Sequence, residues 1–240
     1  MKMNGIVFIA LLISNLLASC QKEKLSYSSG DIRIQIQTGE NWLHDYPLFL
    51  GITKKNPPQF AVWIEDTEGN YISTIYATYK IATESWISNN GNRRKEALPY
   101  WCHKRGIVYS DGLFLPTKKQ PLTDGITGAT PKVDKEIQLN LKEFTKPIVI
   151  KAEFNQSLDF NNFFPENAKE TDSNYSGGKE GSGQPAVIYA ATIYPNATRT
   201  YLKLIGHSSS DGSSSEIFTD LNKLTSAKNI VGNIYVDIIK

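Results

Sequence analysis

The sequence predicts an all-β protein, an antiparallel β-sandwich of the immunoglobulin or fibronectin type III shape with one short helix near the C-terminus. Two observations carry this expectation. Apolar and polar residues alternate with a period of two in segment after segment, and turn-forming residues separate those segments. A third is that helical periodicity is persuasive at one place only.

Taken in order, Ile32, Ile34 and Ile36 alternate with Arg33, Gln35 and Gln37, which gives a first strand with one apolar face. Residues 48–52 read as a second strand. Residues 60–65 and 71–79 flank Asp66-Thr67-Glu68-Gly69-Asn70, a turn-rich hairpin connection. Further strands are expected at 106–109, 136–141, 147–154, 186–194, 200–205 and 230–239, all rich in β-branched and aromatic residues. The helix is expected at 216–228, where Ile217, Leu221 and Leu224 share a face behind serines able to cap its start. Residues 161–184 and 207–215 are polar loops. The first contains the glycine-rich run from Ser176 to Gly183, which lacks the Gly-Lys-Ser/Thr ending of a phosphate-binding loop and reads as a flexible connection. Residues 31–240 are expected to form one sandwich domain, long enough to bury a real core.

The N-terminus has a different character. Lys2 precedes an apolar run over residues 6–17, broken only by Ser14-Asn15 and followed by Ala18-Ser19-Cys20. A membrane-spanning helix needs about 20 apolar residues, so this shorter run reads as a signal peptide over residues 1–19. Leu17-Ala18-Ser19-Cys20 resembles the lipobox of bacterial lipoproteins. That resemblance implies cleavage before Cys20, lipid on its thiol and attachment of the chain to a bilayer. Each acyl methylene buried adds roughly 0.8 kcal/mol, so two or three chains would hold firmly. Residues 20–30 then form a polar tether. Such a protein faces the periplasm or the cell surface. Gln21 rather than Asp after the cysteine favours the outer membrane, by analogy with enterobacterial sorting.

Composition narrows the function. With 26 basic and 24 acidic residues the net charge is +2, too balanced for a nucleic-acid partner. Once Cys20 is lipidated only Cys102 remains, so no intramolecular disulfide, four-cysteine cluster or structural zinc site can form within the chain. His44, His103 and His207 show no metal-ligand spacing. No hydrolase motif such as Gly-x-Ser-x-Gly is present.

The segment with the sharpest chemistry is Asp124-Gly125-Ile126-Thr127-Gly128-Ala129-Thr130. It resembles the flavinylation motif of proteins that carry covalent FMN: Asp, two variable residues, Ser or Thr, Gly, Ala, then Ser or Thr. The resemblance implies that a flavin transferase moves FMN from FAD onto the hydroxyl of Thr130, leaving a phosphoester. The residue types fit that chemistry, because an acceptor hydroxyl needs small neighbours and an adaptable backbone, which Gly128 and Ala129 supply. Asp124 and Thr127 are expected to shape the turn or to touch the phosphate. The runs Phe60-Ala61-Val62-Trp63-Ile64-Glu65-Asp66-Thr67-Glu68-Gly69 and Arg93-Arg94-Lys95-Glu96-Ala97-Leu98-Pro99-Tyr100-Trp101 resemble a family of predicted periplasmic proteins of unknown function. Some members of that family occur with flavin transferases and membrane electron-transfer proteins, which implies an electron carrier rather than an enzyme, with membrane redox proteins as partners.

Residues 100–105 form the next suggestive stretch. Trp101 is a candidate to stack on the flavin ring, and His103 to place a positive charge beside it. The sequence disfavours a c-type haem site, because Pro99 stands where its first cysteine belongs. The alternative to a flavoprotein is a cofactor-free sandwich lipoprotein that binds a cell-surface ligand, glycan or protein, with Trp42, Trp86 and Tyr175 as its aromatic contacts.

Overall fold

The alternating isoleucines of β1 (Ile32–Thr38) point inward, with Ile32, Ile34 and Ile36 buried and the residues between them half-exposed. In the computed structural model, which describes residues 32–48, 50–86, 93–141 and 144–239, this strand is central to one of two facing sheets. The proposed signal peptide, Cys20 and the tether lie outside the described residues.

After β1 come a small hairpin, β2 (His44–Pro47) and β3 (Thr53–Asn56), and then β4 (Gln59–Glu65) and β5 (Tyr71–Thr78). Two short helices follow, α1 (Tyr79–Thr83) and α2 (Pro99–Arg105). The remaining strands are β6 (Ile126–Gly128), β7 (Lys135–Leu139), β8 (Ile148–Asn155), β9 (Val187–Ile193), β10 (Arg199–Tyr201), β11 (Lys203–His207) and β12 (Val231–Ile238). One sheet runs β10-β12-β1-β7 and the other β11-β9-β8-β4-β5-β6. Every pairing is antiparallel except that of β5 with β6. The architecture is the expected all-β sandwich.

The two sheets differ in how they are buried. Phe60, Val62, Tyr76, Ile150, Phe154 and Tyr189 face the other sheet and meet Ile34, Ile36, Ile137 and Ile234 in the main core. Ala61, Trp63, Ala77 and Ile188 point the opposite way, into a second core roofed by Ile81, Leu98, Trp101, Cys102, Leu115 and Leu122. β4 is therefore buried at all seven positions, and α1, α2 and the loops around them form a third layer.

Several expectations need correction. Residues 48 and 50–52 are not a strand but belong to the turn between β2 and β3, where Leu50 and Gly51 both take positive φ and the Leu48 N–H donates to the Ile52 carbonyl. Residues 106–109 are not a strand either: Gly106 ends α2 in the left-handed conformation, and Ile107 and Val108 are exposed. The segment read as one strand at 200–205 is two, β10 in the first sheet and β11 in the second, with buried Leu202 between them. The helix expected at 216–228 is replaced by two 3-10 turns, Leu221–Lys223 and Ser226–Asn229. Its apolar residues cannot share a helical face because they serve different cores, Ile217 the outer one and Leu221 and Leu224 the inner one. The glycine-rich run is packed rather than loose. Ser182 is buried, where its hydroxyl donates to Asn155 Oδ1 at 2.8 Å and accepts from Arg94 at 3.1 Å. A Cβ on Gly181 would fall 1.9 Å from the Ser176 carbonyl oxygen.

Candidate functional site

The motif segment forms the edge strand β6 and the turns on either side of it. Ile126, Thr127 and Gly128 pair in parallel with Tyr76, Ala77 and Thr78 of β5. Two glycines make this close approach feasible: a Cβ on Gly125 would come within 2.7 Å of Thr74 Cγ2, and one on Gly128 within 2.8 Å of the Tyr76 hydroxyl. That hydroxyl donates to the Ala129 carbonyl at 3.1 Å and holds the chain where it leaves the strand.

Thr130 is half-buried at the end of this segment. Gln59 Nε2 donates to its Oγ1 at 3.2 Å, and the Thr78 hydroxyl donates to Gln59 Oε1 at 2.8 Å. The Phe60 N–H donates to Thr78 Oγ1 at 3.3 Å. This relay fixes the threonine oxygen as an acceptor and leaves its proton to be given elsewhere.

Thr130 also lines a cleft of about 240 Å³ with Lys54, Lys55, Lys80, Lys132 and Trp86. Among the described residues no carboxylate lines it. Of these four lysines only Lys55 has an acidic partner among the described residues, Asp45 at 2.8 Å. Lys80 is pushed below the usual lysine range by burial first and then by the neighbouring charges of Lys54 and Arg94. Its ammonium lies 5.6 Å from the Trp86 ring centre, and the Arg94 guanidinium lies 4.7 Å from the same ring. Arg94 itself is neutralised by Glu96 at 3.0 Å. The cleft thus presents excess positive charge beside a hydroxyl and an indole.

The other end of the motif is set apart from this cleft. Asp124 and Thr130 are six positions apart, up to about 20 Å at roughly 3.3 Å per extended residue. Asp124 accepts a short hydrogen bond from the Tyr71 hydroxyl and pairs with Arg105 at 3.5 Å, so it ties the head of β6 to α2. It borders a second cleft of about 400 Å³, lined among the described residues largely by Ile64, Thr74, Ile75, Leu139 and Leu141 and by no lysine. Thr127 is half-buried in mid-strand, paired with Ala77. Of the motif residues the structure therefore places Thr130 on the cationic cleft, with Gly128 and Ala129 leading the chain to it along β5, and ties Asp124 to Tyr71 and Arg105.

Trp101 and His103 are not brought to Thr130. Trp101 is fully buried in the second core, its Nε1 donating to the Thr74 hydroxyl at 3.1 Å, so it offers no face to a ring. His103 packs on Phe114 at 4.1 Å between ring centres and contacts the Gly212 carbonyl, in a separate small cleft. Cys102 is buried and burial pushes its thiol upward, which makes it inert. Among the aromatics named for the binding alternative, Trp42 is a core residue whose Nε1 donates to the Pro131 carbonyl at 2.9 Å. Tyr175 is half-buried, and Trp86 belongs to the Thr130 cleft. The sequence reading missed Lys54, Lys80 and Lys132 because they are scattered over 79 positions and only the fold collects them. The one local hint was Lys132, two residues beyond the motif.

The cleft sits at one end of the sandwich. Thr38 at the end of β1, Gln59 at the start of β4, Thr78 at the end of β5 and Asn155 at the end of β8 cluster there, with Trp42 reaching Pro131 beside them. β1 begins at the opposite end, where Ile32 pairs with Leu139 and Ile238. Among the described residues no helix is long and apolar enough to cross a membrane, and no group of His, Cys, Asp and Glu could hold a metal ion.

Fold and site together define an all-β sandwich with a threonine hydroxyl on a lysine-lined cleft. No protein-family model, no curated protein and no solved structure matches the chain.

Proposed function

We infer that this protein is a lipid-anchored extracytoplasmic flavoprotein that carries FMN covalently on Thr130 and transfers electrons. The observation that carries the reading is the setting of Thr130, the last residue of a segment resembling the flavinylation motif. Its hydroxyl opens on a cleft with unbalanced lysines. A phosphodiester on Oγ1 would bear a negative charge, and the cleft offers Lys54, Lys80 and Lys132 to it with no competing carboxylate among the described residues. The residues present therefore fit the group.

Bound there, FMN supplies one- and two-electron redox chemistry. The chain's own residues do the rest. Gln59 orients the acceptor oxygen, Tyr76 holds the Ala129 carbonyl, Gly128 lets the segment lie close to β5, and the lysines neutralise the phosphate. A flavin transferase is the partner for attachment and membrane redox proteins are the partners for electrons. With lipid on Cys20, the polar tether would keep the flavin near those membrane partners and raise its effective concentration there.

A second reading, cofactor-free binding of a protein or other ligand at the surface, is favoured by one feature. Leu48, Leu50 and Ile52 are exposed together at the tip of the β2–β3 hairpin, Leu50 at 92%.

Intact-mass analysis of protein made alongside a flavin transferase separates the two. A single FMN-sized increment that maps to the Thr130 peptide and disappears in Thr130→Ala is expected. An unmodified chain, or an increment retained by that variant, would leave binding as the better reading.

A further inference from the structure

If the transferase supplied every contact, the acceptor would need only an accessible peptide. The surroundings of Thr130 exceed that requirement. Lys54 comes from β3, Lys80 from α1 and Lys132 from the turn beyond the motif, and all three line one cleft with Trp86. None of the three has an acidic partner among the described residues. Like charges gathered without counterions repel one another, and the lowered affinity of Lys80 for its proton reflects this in part. An arrangement of this kind is relieved by a bound anion. The half-buried indole beside it offers a flat apolar contact, which is the second half of what a flavin nucleotide presents.

We propose that the cleft is a recognition site for a phosphate-bearing flavin nucleotide before any bond to Thr130 is made, with Lys54, Lys80 and Lys132 meeting the phosphate and Trp86 meeting the ring. The proposal rests on the flavin reading above and adds that the acceptor chain itself selects the nucleotide. Two properties follow. Binding should depend on the phosphate rather than on the ring alone, and it should weaken with salt, because the lysine contacts are partly open to solvent.

The test uses the Thr130→Ala chain, which cannot be esterified, titrated with FMN and with riboflavin by flavin fluorescence. The expected result is FMN binding at least tenfold tighter than riboflavin, with the difference shrinking as salt rises. Lys80→Gln combined with Lys132→Gln should abolish the difference. Trp86→Leu should weaken both ligands together. Equal affinity for FMN and riboflavin, or no binding of either, would overturn the proposal. The two claims fail separately: a flavin mass on wild-type Thr130 without nucleotide binding by the variant leaves the cofactor and removes the recognition site. FMN-selective binding without a mass increment does the reverse.

Discussion

The segments 99–105 and 124–130 show how differently the fold treats two stretches with similar chemical promise. The first holds Trp101, His103, Lys104 and Arg105, an aromatic and cationic mixture suited to a flavin. The fold spends it on structure. Pro99 opens α2 and Gly106 closes it, the basic residues occupy its last turn, and the buried Glu153 carboxylate accepts the Tyr100 and Trp101 N–H groups at its start. The second segment has no aromatic and one charge, yet it ends on the lysine-lined cleft. Residue chemistry alone did not separate them. Exposure and charge balance did, because Trp101 and Arg105 of α2 are buried, the latter paired with Asp124, while the Thr130 cleft is open and its lysines are unbalanced.

The largest test of this contrast is Trp101→Ala. Removing a fully buried indole should destabilise the protein by about 3–5 kcal/mol, measured by denaturant unfolding, while protein that still folds keeps its FMN increment. Loss of flavin from well-folded variant protein would return Trp101 to the site.

A pH titration of stability probes the same helix more finely. Burial pushes the Glu153 carboxyl up to about 8, against the N–H groups of Trp101 and Tyr100 and the Ser208 hydroxyl, which lower it. The folded state thus holds this proton more tightly than the unfolded chain does. Its contribution to stability is complete below the ordinary value of 4.5 and is lost as pH rises toward about 8. Glu153→Gln keeps an acceptor for the Trp101 N–H but cannot ionise, so its melting temperature should fall less than the wild type's between pH 5 and pH 8. Parallel curves would show that folded Glu153 is already ionised across that range, as it is in the unfolded chain, and that burial does not raise it.

The same contrast explains what the sequence disclosed. Strands with one clear apolar period, such as β1 with its three isoleucines, or with a strong β-branched run, such as β8 and β12, were legible because local pattern and final burial agree. Misreadings occurred where one segment serves two surroundings. Ile217 and Leu224 divide between two cores, and β10 and β11 divide between two sheets, so a pattern that looks continuous is cut by tertiary structure. α2 could have been read from Pro99 and Gly106, seven positions apart, had its aromatic and cationic content not suggested a site. In the site, Thr130 and its small neighbours were legible as a motif. Lys54, Lys80 and Gln59 were not, since each is an ordinary residue in its own segment.

The finest test lies at the join between the motif and the sheet. Gly128→Ala adds one methyl group, which would fall 2.8 Å from the Tyr76 hydroxyl and 3.3 Å from its ring. Tyr76 has little room to yield, being fully buried with its ring stacked on Phe60 at 5.2 Å. The edge strand must move instead, at a cost of about 1 kcal/mol, the low end for overpacking because β6 has a sheet partner on one side only. Such a shift would loosen the bond from Tyr76 to the Ala129 carbonyl and carry Thr130 away from Gln59. Stability should therefore change little while the fraction of chains bearing FMN, read by intact mass after co-expression, falls markedly. Glycine at this position would then matter for the placement of the acceptor hydroxyl rather than for backbone freedom, since Gly128 is not among the glycines with positive φ. Unchanged occupancy in Gly128→Ala would mean that the transferase reshapes the segment as it binds and that the geometry of the free protein does not govern attachment.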